Sequence, residues 1–312
     1  MALILGIDTS NYTTSAALFD TESSTVEQVK KLLPVKAGDC GIRQSDAVFH
    51  HTKQLPDIIS TLDFSGKKID AVAVSVTPRE CEGSYMPCFL AGVSVARSIS
   101  AVNNIPLYTF SHQQGHIAAA DCGSGHTELL SSPFIAFHVS GGTTEALLVT
   151  PSESSFIKAE LIANTNDLNA GQLVDRTGVM LGLQFPCGIE LEKLANTYKG
   201  SIRVKPSLKD SNCNLSGFQN KLLKLYSDTN DKAYVSAYTL KAISETLIAM
   251  TNSLIAKYGN LPLLFAGGVM SNQLIRTDIS NHFDAFFAPP QYSADNAAGI
   301  AFLGAKKLLT QG

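Results

Sequence analysis

Residues 3–19 read LILGIDTSNYTTSAALF, and residues 134–150 read FIAFHVSGGTTEALLVT. Each stretch is an apolar run, a short polar or Gly-rich turn, and a second apolar run. In the first, Leu3 to Ile7 ends in Asp8-Thr9-Ser10, and Ser15 to Phe19 follows the turn Asn11-Tyr12-Thr13-Thr14. Two apolar runs across so short a polar break predict a β-hairpin with polar side chains at its tip. In the second, Phe134 to Val139 is followed by Ser140-Gly141-Gly142-Thr143-Thr144 and by Ala146 to Thr150. The same reading predicts a second hairpin, so the pattern restarts halfway along the chain.

Working outward, each hairpin is followed by helix-period segments and further apolar runs. After the first come a helix over Ser45 to Leu62, bent near Pro56, and a strand over Ala71 to Val76. A helix over Phe89 to Ala101 and a strand over Pro106 to Phe110 follow, and Ser111 caps a helix running to about Asp121. After the second hairpin come helices at Gly171 to Leu181, Ile189 to Tyr198 and Lys232 to Lys257. A strand over Leu261 to Ala266 then ends in Gly267-Gly268, Asn272 opens a helix, and Ala294 to Leu309 is the last helix. The polar stretch 121–132 divides the halves. The expected domains are therefore an N-terminal lobe, 1–125, and a C-terminal lobe, 126–312, with the last helix near the inter-lobe cleft. The class is α/β. A duplicated hairpin-first α/β unit is similar to the two-lobed actin-like ATPase and sugar-kinase layout, in which a nucleotide sits between the lobes and the Gly-rich turns approach its phosphates.

Composition sets the outer limits. The chain has 312 residues, 45% hydrophobic and 16% charged, which excludes a disordered polymer. No apolar run approaches the ~18 residues of a membrane span, so no membrane role is expected. The formal net charge of −3 gives no general electrostatic drive toward nucleic acid. Residues 1–10 lack a basic leader, and the six cysteines form no C-x-x-C pair. Reduced thiols and a cytoplasmic location are the expectation.

Several segments carry candidate chemistry. His112 and His116 are four apart on a predicted helix, so both imidazoles lie on one face and can share a transition metal. The alternative is two surface histidines on an amphipathic helix. Gly115 between them is expected to leave room beside His116. A third ligand is needed, and Asp295, at the start of the last helix, is the candidate; its alternative role is as a partner of the helix dipole. Ser140-Gly141-Gly142 and Gly267-Gly268 follow apolar strands, where glycines let backbone N–H groups approach an anion. Asn272 can then bond a ligand as donor and acceptor. Asp167, Gly188 and Glu192 lie around helix starts, where acids serve the dipole or bind ribose hydroxyls. From Lys193 to Lys224 there are seven basic residues, Lys193, Lys199, Arg203, Lys205, Lys209, Lys221 and Lys224, against a single acid, Asp210. The ordinary reading is a solvated face; the functional one is a set of phosphate contacts.

Taken together, these segments resemble the TsaD/Gcp family, the tRNA threonylcarbamoyladenosine transferases once labelled glycoproteases. The opening Gly6-Ile7-Asp8-Thr9-Ser10, His112-Gln113-Gln114-Gly115-His116, Val139-Ser140-Gly141-Gly142-Thr143-Thr144 and the block from Asp167 to Arg176 resemble family motifs in order. So do Phe185-Pro186-Cys187-Gly188, Leu215-Ser216-Gly217-Phe218, Ala266-Gly267-Gly268-Val269 through Asn272, and Asp295-Asn296-Ala297-Ala298. The chain differs at Thr143, where the family has His, at Cys187, where it has Gly, at Leu168, Asn169 and Gln172, and throughout Thr77 to Phe89.

The resemblance implies a divalent metal, iron or zinc, on His112, His116 and Asp295. It implies an adenine nucleotide held by Gly141, Gly142, Gly268 and Asn272, with Asp167, Gly188 and Glu192 near nucleotide or ribose. Asp8 and Ser140 are implied as catalytic positioning groups. The implied reaction moves a threonylcarbamoyl group from its adenylate to the exocyclic amine of the adenosine beside the anticodon in tRNA. The implied partners are tRNA, with Lys193 to Lys224 as its contact region, and the other proteins of that machinery. The alternatives are a divergent paralogue that keeps metal and nucleotide but uses another acceptor, and a non-catalytic partner subunit.

Overall fold

The structure is a computed structural model that describes residues 2–10, 12–34, 42–64, 66–124, 129–153, 156–289 and 297–311. The strands are β1 (Leu3–Asp8), β2 (Thr13–Asp20), β3 (Thr25–Leu32), β4 (Ala71–Thr77) and β5 (Leu107–Ser111), then β6 (Phe134–Val139), β7 (Thr144–Ser152) and β8 (Phe156–Asn164). A short ribbon, β9 (Leu208–Lys209) and β10 (Asn212–Cys213), precedes β11 (Leu263–Ala266) and β12 (Ala285–Phe287). The helices are α1 (Gln44–Thr61), α2 (Phe89–Asn103), α3 (His112–Ser124), α4 (Ala170–Met180) and α5 (Gly188–Thr197), then α6 (Ser216–Thr229), α7 (Lys232–Tyr258), α8 (Gln273–Ser280) and α9 (Ala298–Gln311).

Both expected hairpins are present, and each organises a five-stranded sheet. One sheet has the order β3-β2-β1-β4-β5; the other, read in the matching direction, has the order β8-β7-β6-β11-β12. β1 pairs antiparallel with β2 and parallel with β4, and β6 pairs antiparallel with β7 and parallel with β11. The duplication visible in the sequence is thus a duplication of strand order. The third strand of each set, β3 and β8, was not expected.

The chain divides into two compact units. Unit 1 takes residues 1–132, 150–159 and 291–312; unit 2 takes 133–149 and 160–290. The expected boundary near residue 125 lies close to the first crossing, but the chain re-enters unit 1 twice. The last helix, α9, packs with unit 1 elements.

In unit 1 the sheet is buried on both faces, so β1 reads as an unbroken apolar run and not as an alternation. Leu3, Leu5 and Ile7 face α1 and α2 with Leu18, Val72, Val74, Leu55 and Ile58. On the opposite face Ile4 and Gly6 meet α9. A Cβ on Gly6 would stand 2.6 Å from the Ala301 amide nitrogen, so glycine is what admits α9 this closely. In unit 2, Ile135, Phe137 and Val139 of β6 pack with Phe265 of β11 against α4 to α8, and the long α7 supplies Leu240, Ile243, Leu247 and Leu254.

Candidate active site

Unit 1 carries the histidine pair. β5 ends at Ser111 and α3 starts at His112. Four residues later His116 returns to the same face, and the two Nε2 atoms stand 2.9 Å apart. Their rings meet edge to face, with centroids 4.3 Å apart. His112 Nδ1 lies 2.7 Å from Asp8 Oδ2. Asp8 comes from the end of β1 and is 1% exposed. Its Oδ1 accepts from the Ser10 amide at 2.8 Å and from the Ser75 hydroxyl at 2.9 Å. A carboxylate fixed by two donors holds the Nδ1–H of His112, which leaves the Nε2 lone pair pointing toward His116.

That donor set suits a divalent transition metal. Two imidazole nitrogens converge, and one ring is oriented by a carboxylate through its other nitrogen. Residue 295, the expected third ligand, lies outside the described residues. Among the described residues no three His, Cys, Asp or Glu side chains gather as a metal cluster.

Gly115 has a different role from the one its position predicted. A Cβ there would meet the Ile300 side chain of α9 at 2.7 Å. A Cβ on Gly299 of α9 would in turn overlap the Gly115 carbonyl. The glycine inside the histidine motif is the point where two helices cross, and the space beside it belongs to α9.

Unit 2 carries a cavity of about 290 Å³, the lower end of small-ligand pockets. Gly141, Gly171, Asp175, Gly188, Glu192, Gly268 and Asn272 line it, with Val174, Ile189, Leu240 and Ile275 as its apolar wall. Gly171 is the second residue of α4, Gly188 the first of α5, and Gly268 opens the 3-10 turn Gly268–Ser271 before α8. Three helix starts therefore border one cavity. First-turn N–H groups have no intrahelical acceptor, which makes such a place favourable for an anion.

The glycines make this packing possible. A Cβ on Gly171 would stand 2.6 Å from the Gly141 backbone. Gly267 has φ +103° and lies against the Val139 carbonyl, so a side chain there is excluded both by backbone conformation and by space. Glu192 Oε1 accepts from the Gln273 amide at 2.8 Å and ties α5 to the start of α8. Asn272 Oδ1 caps α8 by accepting from the Ile275 amide at 3.0 Å.

Of the residues the sequence selected for a nucleotide, Gly141, Gly188, Glu192, Gly268 and Asn272 share this cavity. Gly142 and Ser140 belong to the turn beside it. Ser140 Oγ accepts from the Thr143 amide at 3.1 Å and shapes that turn. Asp167 is elsewhere. Its Oδ1 accepts from the amides of Leu168 at 2.6 Å, Leu215 at 2.8 Å and Ser216 at 3.2 Å, and its Oδ2 from the Ser216 hydroxyl at 2.6 Å. It caps the start of α6. Burial pushes its carboxyl up, but the Ser216 hydroxyl and the three amides outweigh this and hold it below the usual carboxylate range.

The sequence reading noted Asp175 near a helix start but did not select it for the site; its Oδ1 accepts from the Cys187 amide at 2.9 Å. It missed Ser75, which donates to Asp8. Asp175 had a signal, its place near a helix start, but Ser75 looked like an ordinary strand residue. Val174, Leu240 and Ile275 carry no sequence signal that separates a cavity wall from a core. The Lys193–Lys224 residues are exposed but not all unengaged. Lys193 pairs with Glu190 at 2.7 Å, Lys199 donates to the Asn196 carbonyl, and Lys221 lies over the Tyr238 ring.

Two sheets of one duplicated topology, each flanked by helices, define an α/β protein with the fold type of actin-like ATPases and sugar kinases. Solved structures agree on that fold. The chain aligns with (R)-2-hydroxyglutaryl-CoA dehydratase component A of Acidaminococcus fermentans at TM-score 0.56 and 14% identity, covering 99% of this chain and 100% of that one. It aligns with a ROK family glucokinase from Streptomyces griseus, solved with glucose and AMPPNP, at TM-score 0.55 and 12% identity, covering 97% and 99%. HypF from T. kodakarensis gives TM-score 0.61 at 12% identity over 99% of this chain and 48% of that one, so this chain spans about half of HypF. The sequence matches the profile of TsaD, tRNA N6-adenosine threonylcarbamoyltransferase, over residues 26–302, and the chain belongs to that family.

Proposed function

We propose that this chain transfers a threonylcarbamoyl group from threonylcarbamoyl-adenylate to the exocyclic amine of an adenosine beside the anticodon of tRNA. Family membership gives the reaction type. The observation that carries the reading is the histidine pair: two Nε2 atoms 2.9 Å apart, one ring oriented by Asp8. His112 and His116 would hold a divalent cation, iron or zinc, with residue 295 as the third ligand. When bound, that cation supplies Lewis-acid polarisation of the carbamoyl carbonyl.

The chain's own residues supply the rest. Asp8 keeps the His112 proton on Nδ1, so Nε2 stays a ligand atom. The first-turn amides around the unit 2 cavity favour the phosphate of the adenylate, and Glu192 and Asp175 offer acceptors to ribose hydroxyls. In the transfer the adenosine amine attacks the carbamoyl carbon. The bond between that carbon and the phosphate oxygen breaks, AMP leaves with the electron pair, and the amine gives up one proton. Arg203, Lys205, Lys209 and Lys224 form an exposed basic set for phosphate contacts of the RNA.

The test is transfer of labelled threonine into an ANN-decoding tRNA by the purified chain with the family's partner proteins and threonylcarbamoyl-adenylate. The reading expects label in that tRNA, lost on His112→Ala. Label in no tRNA, with the adenylate intact, contradicts it. One observation favours a second reading, a paralogue with another acceptor. The Thr77–Phe89 stretch departs from the family, and its Pro78 carbonyl accepts from the Gln113 amide at 3.0 Å, beside the histidine pair. AMP release driven by a small amine in place of tRNA would support that alternative.

A further inference from the structure

Four hydrogen bonds meet on one buried residue between the two histidines. Gln114 is 2% exposed. Its amide N–H donates to Ser111 Oγ at 3.2 Å, and its Oε1 accepts from the Ser111 amide at 2.6 Å. This reciprocal box closes the first turn of α3. Its Nε2 donates to the Ile157 carbonyl of β8 at 2.6 Å and to Glu80 Oε2 at 3.1 Å. A primary amide has two N–H donors and one oxygen, and here all three act.

Position 114 is two residues from each histidine. Two residues turn a helix by about 200°, so Gln114 grips α3 from the side away from the imidazoles. His112 is the first residue of α3, where a helix frays unless it is held. The Gln114 side chain does the holding, and through Glu80 it reaches the connection between β4 and α2. That link ends on a carboxylate and is charge-assisted. The same connection is joined to α3 again by the Gln113 amide on the Pro78 carbonyl, and Thr77 is in register with Ser111.

We propose that Gln114 is the positioning residue of the histidine pair and Glu80 its anchor, so that residues 78–82 set how tightly His112 and His116 hold a divalent cation. The proposal rests on the metal reading above and deepens it: the charged segment that sets this chain apart is a brace for the metal pair.

Cobalt(II) titration of the full chain tests this, read by the d–d absorption band and the dissociation constant, with a thermal midpoint for every variant. Gln114→Ala is expected to weaken cobalt binding at least tenfold and to shift the band. Gln114→Glu does the same, because a carboxylate there faces Glu80 and the Ile157 carbonyl without a proton to donate. Adding Glu80→Gln to Gln114→Glu restores a donor between the two positions and recovers part of the affinity. Glu80 is exposed, so Glu80→Ala folds even if Gln114→Ala does not, and it is expected to weaken binding three- to tenfold. Affinity within twofold of wild type in Gln114→Glu and Glu80→Ala, whatever happens to their thermal midpoints, overturns the proposal. So does a failure of Glu80→Gln to recover any affinity. Failure of the metal reading looks different: the wild type then binds no cobalt that the His112→Ala/His116→Ala variant loses, and the proposal falls with it.

Discussion

Asp8 uses one oxygen to hold the Ser10 amide and the Ser75 hydroxyl, and the other to hold His112. This is how a single carboxylate at a strand end sets the orientation of a ring on a distant helix. Asp167 shows the opposite outcome. It sits in a family motif and does not line the unit 2 cavity, because its acceptors are spent on the start of α6. Asp167→Ala therefore tests a cap. At pH 7 it is expected to lower stability by about 1 kcal/mol, as lost caps do, and to leave nucleotide affinity unchanged. The Asp167 carboxyl is held below its ordinary value in the folded chain. Its contribution is thus complete above the unfolded value of 3.8 and fades as pH falls through the lower folded value. Urea unfolding midpoints at pH 7 and pH 3 check this: the gap between wild type and variant narrows in acid. A gap that widens in acid contradicts the assignment.

At the scale of elements, α3 and α9 cross at two glycines, and that crossing seats the histidine helix. Gly299→Ala places a methyl against the Gly115 carbonyl. It is expected to cost about 1–3 kcal/mol, as overpacking does, and to weaken metal binding, because α3 must shift. Gly217→Ala is the control. It lies inside α6 with open space around its Cβ, and alanine there leaves stability equal or slightly raised. Thermal midpoints of the two variants decide; equal midpoints contradict the crossing. The same scale explains what the sequence disclosed. β1, β2, β4, β6 and β11 are central and buried, so their apolar runs stood out. β3 and β8 are edge strands, and charge conceals them: β3 carries Lys30 and Lys31 on an exposed edge, a common protection against strand pairing. α6 was hidden in the basic stretch, because only Phe218 and Leu222 of it are fully buried, with Leu225 and Tyr226 half-buried beside them.

For the whole molecule, two features were legible and one was not. The repeated hairpin disclosed the duplication, since both first strands are buried and both turns are polar. The ordered motifs disclosed the family. The interlacing of units was not legible, because nothing local in 298–311 says which sheet the helix covers; that is decided by Ile4, Gly6 and Phe19, nearly the length of the chain away. Phe19 meets Phe302 edge to face at 5.4 Å. Gln114 was silent for a related reason, since its partners Glu80 and Ile157 are brought to it only by the fold. The proposed function then requires a cation on the histidine pair. Metal content by elemental analysis, on the wild-type chain and on His112→Ala/His116→Ala after identical reconstitution with iron or zinc, tests this most directly. The account predicts close to one metal per wild-type chain and a loss of it in the double variant. Wild-type chain that stays metal-free after reconstitution, or a double variant that keeps its metal, contradicts it.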